Sequence, residues 1–205
     1  MKVLALLFLL PLCTSNVLSQ KLYVWCPNDP EVVARKGLLE NEEVNLVIFD
    51  GRLLTKNSKI ECSDEETVRI IGEFVKKAYP SSKINLIETS EYFKDAISGR
   101  ITIKVAVAAY HAAFGADLSI GIGSIGEKLT WGVIPEGKWN AATGYYVQIY
   151  DYRNEENKLK SVREITRLAS KSNLGGYTTA KKILNQTYLE ANQDLLFFID
   201  NTFMK

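Results

Sequence analysis

The chain has 205 residues, of which 46% are hydrophobic and 24% are charged. This balance is typical of a globular protein and excludes a disordered or fibrous chain, and the length suits one domain with its own core. The 25 Lys and Arg residues stand against 24 Asp and Glu residues. Nucleic-acid binders normally carry a basic excess, because contacts with phosphates supply much of their affinity. We therefore exclude nucleic acid as a partner.

The N-terminal stretch MKVLALLFLLPLCTSNVLS, residues 1–19, has the pattern of a secretory signal peptide. A lysine at the start precedes an apolar run over residues 3–12. That run is shorter than the roughly 20 apolar residues that a membrane-spanning helix needs. We predict cleavage after Ser19, no transmembrane segment, and an exported protein, periplasmic or secreted, whose residues 20–205 form a single α+β domain. The alternative is a buried N-terminal helix or strand.

The three cysteines suggest different fates. A lipid anchor at Cys13 would need a small residue just before it, but Leu12 stands there, so we expect no anchor and keep lipidation as the less favoured alternative. Cys26 and Cys62 remain after cleavage, and thiols in an oxidising compartment tend to pair. We predict a Cys26–Cys62 disulfide that joins the N-terminal arm to the loop before the first helix. Two separate buried thiols are the alternative.

The first half of the mature chain contains two predicted strands. VNLVIFDG (44–51) predicts a strand that is partly buried on both faces, and KINLIET (83–89) predicts another. The preceding residues 20–43 are predicted to be irregular. A short helix over 30–36 is an option there, because Asp29 can cap it and a proline suits its first turn.

Residues 63–80, SDEETVRIIGEFVKKAYP, give the clearest helix signal. Ser63 and Glu66 have the spacing of a capping box, and the acidic first turn and basic last turn suit the helix dipole. Pro80 ends the pattern. The residues that make one apolar stripe are Val68, Ile71, Val75 and Ala78.

Strands dominate the second half. Residues 101–123 predict one long strand with a bulge or bend near Gly115, and WGVIP (131–135) and GYYVQIYDYR (144–153) continue the strand pattern. Residues 158–170 are ambiguous between strand and helix, and we favour a strand in a hairpin.

A long helix is predicted over Thr178–Asn201. Its apolar side chains recur at steps of three and four and form a seam that faces the core: Ala180, Leu184, Tyr188, Ala191, Leu195 and Phe198. Because neighbouring strands outnumber the helices, we predict a two-layer α+β fold, with a mainly antiparallel sheet and both helices packed on one face.

Gly121, Gly123 and Gly126 match the spacing G-x-G-x-x-G of a dinucleotide-binding loop. That loop works only when a helix follows it, because the pyrophosphate sits at the helix N-terminus. The following residues, EKLTWGVIPEGKWNAATG, contain a proline and three glycines and do not suit a helix. We therefore interpret the glycines as part of a β-hairpin and predict no cofactor.

The remaining candidates for chemistry also have structural explanations. His111 is the only histidine, and no ligand set or nucleophile elbow accompanies it, so we interpret it as structural or surface-exposed. Asp50 and Arg52 lie two residues apart at a strand end, where a turn with an ion pair is more common than a substrate site. The sequence therefore predicts no catalytic, cofactor-binding or metal-binding residue.

Aromatic residues are concentrated between positions 131 and 152. Aromatics are enriched both in strands and at protein interfaces, so part of this set belongs to the core and part is exposed. Strand alternation puts Tyr146 and Tyr150 on one face and Tyr145 on the other. The predicted partner-binding residues are Trp131, Trp139, Tyr146 and Tyr150.

Three stretches carry a resemblance to known proteins: VNLVIFDGR (44–52), KKAYP (76–80) and LASKSNLGGYTTAKKILNQTYLEANQDLLFFI (168–199). The chain resembles uncharacterised exported proteins of Bacteroidetes-type bacteria and, in these stretches, YajG-type envelope lipoproteins. The likeness covers most of the mature chain in element order, with few identical residues. It implies an envelope domain without established catalysis, and it carries no functional residues over to this sequence.

Together, these observations favour a non-enzymatic exported protein that binds or scaffolds an envelope protein through a sheet edge or tyrosine-rich hairpins. The alternative is a carrier of a small ligand or lipid, held between the sheet and the C-terminal helix. A hydrolase that uses His111 is a third hypothesis.

Overall fold

A computed structural model describes residues 21–204 apart from 29–30, 36–37, 55, 95–100, 116–117, 123–126, 132–136 and 154–157. Within these ranges, residues 118–122, 127–131 and 158 are described by their backbone only. The predicted signal peptide and Cys13 lie outside the described residues. The strands are β1 (Leu22–Val24), β2 (Glu43–Asp50), β3 (Lys59–Ile60), β4 (Lys83–Ile87), β5 (Ile101–Phe114), β6 (Leu118–Ile122), β7 (Glu127–Trp131), β8 (Lys138–Asp151) and β9 (Lys158–Ser172). The α-helices are α1 (Asp64–Ala78) and α2 (Tyr177–Phe203), and a 3₁₀ helix spans Thr89–Phe93.

Strand β5 is the centre of the main sheet. Along one edge it pairs with β8 in antiparallel register, and β8 pairs in the same way with β9. Its other edge is shared, because β2 pairs with the N-terminal half and the short β1 with the C-terminal end. Strands β2, β4 and β5 run parallel, and α1 connects β2 to β4. The sheet is therefore mixed, with long antiparallel strands at one side and a parallel segment at the other.

Helix α1 begins where the sequence predicts it. The Glu66 amide donates to the Ser63 hydroxyl at 3.2 Å, and the Ser63 amide donates to the Glu66 carboxylate at 2.9 Å, which completes the capping box. The helix ends two residues before Pro80. Its inward stripe buries Ile71, Phe74, Val75 and Ala78.

Helix α2 crosses the antiparallel part of the sheet on the side that α1 also covers. Its 27 residues give a length of about 40 Å. Two buried hydrogen bonds join it to β8, Thr143 to Thr187 at 2.9 Å and Tyr145 to Asn192 at 3.1 Å. The Tyr79 hydroxyl after α1 donates to Asp200 near the end of α2 at 2.7 Å. The predicted α+β fold, with both helices on one face, is confirmed.

Three local predictions have clear outcomes. Residues 158–172 form a strand, as favoured. The predicted bend near Gly115 is confirmed, but it divides residues 101–123 into two strands, because Gly115 adopts a positive φ of 91° directly after the end of β5. The optional helix over 30–36 is wrong for the described residues 31–35, which are irregular; there the Arg35 amide donates to the Ala78 carbonyl rather than to a helical partner of its own.

The Cys26–Cys62 disulfide is present, with the two Cα atoms 4.7 Å apart. Cys62 directly precedes the capping residue Ser63 of α1, and Cys26 follows β1 by two residues. The bridge therefore joins the N-terminal arm to the start of α1, as the sequence predicts.

Candidate functional site

The glycine motif does not have the structural context of a dinucleotide site. Gly121 lies in β6, while Gly123 and Gly126 fall outside the described residues. Residues Glu127–Trp131 then form β7, which pairs antiparallel with β6. A strand therefore stands where the fingerprint needs a helix, and no helix N-terminus is available there for a pyrophosphate.

His111 is a core residue. Its side chain is buried on the side of β5 that faces away from α2, among small residues that include Ala113 and Ala142. Burial and, to a smaller extent, the positive charge of Arg52 together lower the pKa of His111 to about 4. The imidazole is neutral at pH 7 and sealed from solvent. Such a position suits a structural histidine and does not suit a general base that must reach a substrate.

Asp50 and Arg52 form a buried ion pair at the end of β2. Arg52 Nε lies 2.9 Å from Asp50 Oδ1, and Arg52 Nη2 lies 2.6 Å from Asp50 Oδ2. The same Nη2 contacts the exposed Asp64 carboxylate at 3.0 Å. The pair lies at the end of β2, where residues 108–111 of β5 separate the residues that pair with β2 from those that pair with the end of β1. The sequence interpretation of a turn with an ion pair is correct in kind, although the pair is buried.

The acidic and thiol side chains of the described residues offer little to a metal ion. The one trio that lies close enough to share an ion is Cys26, Cys62 and Glu66, within the part of the chain that the structure describes. Both sulfur atoms of this trio belong to the disulfide. They are not available as thiolate ligands while the bridge is intact.

The predicted aromatic surface divides between the two faces of the sheet. Trp139 is only 5% exposed and packs at ring-centroid distances of 5.3–5.7 Å against three other aromatic residues, Tyr23, Phe114 and Tyr177. Its indole N–H donates to Asn173 at 2.9 Å. This side chain belongs to the helix-side core and offers little surface to a partner. Trp131 ends β7, where only the backbone is described.

Tyr146 and Tyr150 lie half-buried on the opposite face, which we call the helix-free face. There they surround Lys104, which is buried in the middle strand β5. The Lys104 ammonium donates to the backbone oxygens of Tyr92, at 2.9 Å, and of Lys94. It also lies 5.2 Å from the Tyr150 ring centroid, within reach of a cation–π interaction.

The 3₁₀ helix Thr89–Phe93 covers one end of the helix-free face. The Tyr92 ring stacks on Phe49 of β2 at 5.2 Å, and Phe93 meets Phe49 edge to face at 4.9 Å. Burial, together with smaller effects of the nearby Tyr146 and Tyr150, raises the pKa of Tyr92 to about 12. These tyrosines and Lys104 therefore form one ordered polar and aromatic cluster rather than a loose hydrophobic patch.

Strand β9 continues the helix-free face to the edge of the sheet. Among the described strands it pairs only with β8, so its outer edge has no partner strand. On the helix-free side, Leu159, Val162 and Leu168 are 48%, 43% and 42% exposed. They lie opposite Tyr150, Gln148 and Ala142 of β8. The sequence alone does not mark this edge, because the large apolar residues of KLKSVREITRLASKS recur at every third position and lack the two-residue alternation of a half-buried strand.

A separate cleft of about 520 Å³ lies between the N-terminal arm and the start of α2. Its lining is mixed and includes Trp25, Cys26, Glu61, Lys181 and Asn185. The Asn28 amide donates to Asn185 at 3.1 Å across it. The cleft has the size of a small-molecule site and a polar wall.

Comparison with known proteins identifies the fold. No protein-family model and no curated protein sequence matches the chain. The structure is similar to protein XCC0632 from Xanthomonas campestris, of family DUF330, with a TM-score of 0.53 and 6% identity over 89% of this chain and 95% of that one. It is also similar to hypothetical protein CT253 from Chlamydia trachomatis, with a TM-score of 0.45 and 7% identity over 80% and 99% of the two chains.

A minor lipoprotein from Acinetobacter baumannii is similar as well, with a TM-score of 0.34 and 9% identity over 75% of this chain and 91% of that one. At 6% identity the likeness to XCC0632 shows the fold alone. The resemblance to YajG-type lipoproteins stays a prediction. Neither helix among the described residues has the length and apolarity that a bilayer crossing would need.

Proposed function

We propose that this chain is an exported, non-enzymatic protein that binds a partner protein by adding a strand of the partner to the free edge of β9. The observation that carries the proposal is a strand of 15 residues whose outer edge pairs with none of the described strands and whose apolar side chains are exposed on one face. An edge of this kind presents unpaired N–H and C=O groups to another chain. Proteins that bind partners by strand addition use such edges, with main-chain hydrogen bonds for affinity and side-chain contacts for specificity.

The ordered cluster beside the edge supports the same proposal. Tyr150 faces Leu159 across the ladder, and the Tyr152 ring stacks on Tyr150 at 6.0 Å. Rigid aromatic side chains give contact area at a low cost in conformational entropy. Tyr146 and Tyr150 would therefore support the β9 side chains that contact the added strand, while Trp139 stabilises the core on the other face.

The location of the protein is part of the proposal. The signal-like N-terminus and the Cys26–Cys62 disulfide both favour export to an oxidising compartment, the periplasm or the outside of the cell. The partner would be a protein of the cell envelope.

Photo-crosslinking in the native host tests the proposal. A benzoylphenylalanine placed at Val162 or at Leu168 should give a defined adduct with a partner protein. The matched control is the same group at Phe197, an exposed apolar position on α2. With the purified partner, amide hydrogens along β9 should exchange more slowly, because strand addition pairs them. Equal adducts from all three positions, or unchanged exchange in β9, would contradict strand addition.

The cleft beside α2 favours a second candidate, a carrier of a small polar ligand. Its lining by Glu61, Lys181 and Asn185 suits a polar molecule better than a lipid tail. Native mass spectrometry of protein purified from the host would detect a retained ligand of a few hundred daltons. Loss of that mass in the Lys181→Glu variant, and its retention in Val162→Asp, would place the ligand in the cleft.

A further inference from the structure

The two faces of β9 differ in charge. Its side chains on the helix side include Arg163, Arg167 and Lys171, and the described acidic residue of the strand, Glu164, lies on the helix-free side. All three cations are exposed. The chain as a whole carries a formal charge of only +1, so this concentration of positive charge is local. An added strand would therefore meet a cationic surface on one side and an apolar surface on the other.

The cations on the helix side are only partly compensated by the protein itself. Arg167 forms an ion pair with Asp194 of α2. The Arg163 guanidinium lies 5.9 Å from the Phe198 ring centroid. Within the described part of the chain, neither Arg163 nor Lys171 has a carboxylate within ion-pair distance. Two of the three cations thus remain available to a partner.

We propose that the strand added to β9 comes from a different protein and is acidic on one face, with carboxylates four residues apart and apolar residues on the opposite face. This inference rests on the proposed function. Residues directly opposite each other in a sheet interact, and opposite charges there are favourable. Arg163, Arg167 and Lys171 are spaced by four residues, so their partners on an added strand are also four apart in either strand direction.

The apolar face of the added strand follows from the same register. Val162 and Leu168 lie six residues apart on the helix-free side, with Glu164 and Thr166 between them. An added strand would place apolar residues opposite Val162 and Leu168. A polar or basic residue would lie opposite Glu164.

Charge disfavours a second copy of this chain as the occupant. Two β9 strands related by a two-fold axis perpendicular to the sheet would align their helix-side faces. Those faces carry Arg163, Arg167 and Lys171 and no described acid of β9, so cations would face cations or neutral residues in every register. Like charges directly opposite each other destabilise a sheet.

The test uses two blocked twelve-residue peptides and the full mature protein. The Glu peptide carries Glu at every fourth residue, and the control, the Lys peptide, carries Lys at the same positions. All other positions are Val or Thr in both peptides. Fluorescence anisotropy should show at least tenfold tighter binding of the Glu peptide at low salt, with a ratio that falls as salt rises, because the contacts are electrostatic. Equal affinities, or no binding of either peptide, would overturn the inference.

A charge reversal sharpens the test. The double variant Arg163→Glu/Lys171→Glu should bind the Lys peptide more tightly than the Glu peptide, since it reverses the two cations that lack an ion pair. The matched control Lys56→Glu/Arg69→Glu changes net charge equally at exposed sites off the strand, and should keep the wild-type preference. An unchanged preference in the β9 variant would overturn the inference.

Two outcomes separate this inference from the proposed function. Adducts at Val162 together with no preference between the peptides would leave strand addition standing and reject the acidic partner. Sedimentation velocity tests whether a second copy of this chain occupies the edge. A concentration-dependent dimer of the wild-type protein that is lost in Val162→Asp would show that two β9 strands pair with each other, and it would overturn the inference as well. Absence of both adducts and peptide binding would reject both proposals.

Discussion

The Arg52 guanidinium and the Asp50 carboxylate form a two-point ion pair in which only 1% and 7% of the side chains are exposed. Arg52 follows the end of β2, and its charge acts on His111 of β5, which lies between the β5 residues that pair with β2 and those that pair with β1. The Arg52 Nη1 atom is buried and has no hydrogen-bond partner among the described residues. A buried ion pair with one unsatisfied donor is costly to desolvate. Replacement of both residues by apolar ones should therefore destabilise the protein less than replacement of one residue alone.

We expect Arg52→Leu to lower the free energy of unfolding by about 3–5 kcal/mol, because it leaves the Asp50 carboxylate buried without its partner. The double variant Asp50→Leu/Arg52→Leu should recover most of that loss. Urea denaturation of both variants measures the difference. Asp64→Ala is the control, since the Asp64 side chain is 68% exposed and its contribution should stay below about 1 kcal/mol. A double variant as unstable as the single one would contradict this account.

The disulfide should stabilise the protein, because it closes a loop and so lowers the conformational entropy of the unfolded chain. The sequence separation of 36 residues corresponds to about 3–4 kcal/mol in the chain-entropy model. We therefore expect the variant Cys26→Ser/Cys62→Ala to lose about that much in urea denaturation. Reductant should destabilise the wild-type protein to the level of the variant and leave the variant unchanged. If the stability of the wild-type protein stays the same once both cysteines are shown to be reduced, the disulfide does not make this contribution.

The elements with strong local signals could be predicted from the sequence. Helix α1 has its capping box at Ser63 and Glu66, and α2 has a seam of apolar residues at helical spacing, so both were located to within one or two residues. The disulfide followed from the number of cysteines left after the predicted signal peptide. These predictions depend on contacts between residues that are close in sequence or on composition.

The features that the sequence does not predict depend on pairing between distant segments. Periodicity does not show that β2 and β5 run parallel, because their register is set by packing against α1 and β4. Alternation separates Trp139 from Tyr146 but does not say which face the helices cover. The free edge of β9 cannot be predicted for the same reason, since the position of a strand at an edge depends on the order of all strands in the sheet.

Acid should destabilise the protein through His111. The folded-state pKa is lowered to about 4 by burial, below the unfolded value of about 6.5. Between these values the unfolded chain binds a proton that the folded chain does not, so stability falls as the pH drops through this window and is unaffected above it. We expect a loss of about 2 kcal/mol between pH 7.5 and pH 5 in urea denaturation.

The His111→Gln variant is the control for the acid effect, because it removes the only histidine of the chain. Its free energy of unfolding should be almost independent of pH between 7.5 and 5, apart from the shared contribution of carboxylates. The same slope in the variant and the wild-type protein would show that His111 is not the titrating group.

Trp139 and Tyr150 should separate stability from partner binding. Trp139→Ala removes a 5% exposed ring from an aromatic cluster of the core, and we expect a loss of about 3–5 kcal/mol in urea denaturation. Tyr150→Ala removes a half-buried ring beside the β9 edge. It should cost less stability, while it weakens the Val162 crosslink to the partner. A folded Trp139→Ala protein that loses the crosslink while Tyr150→Ala keeps it would assign partner binding to the helix side of the sheet and contradict the use of β9.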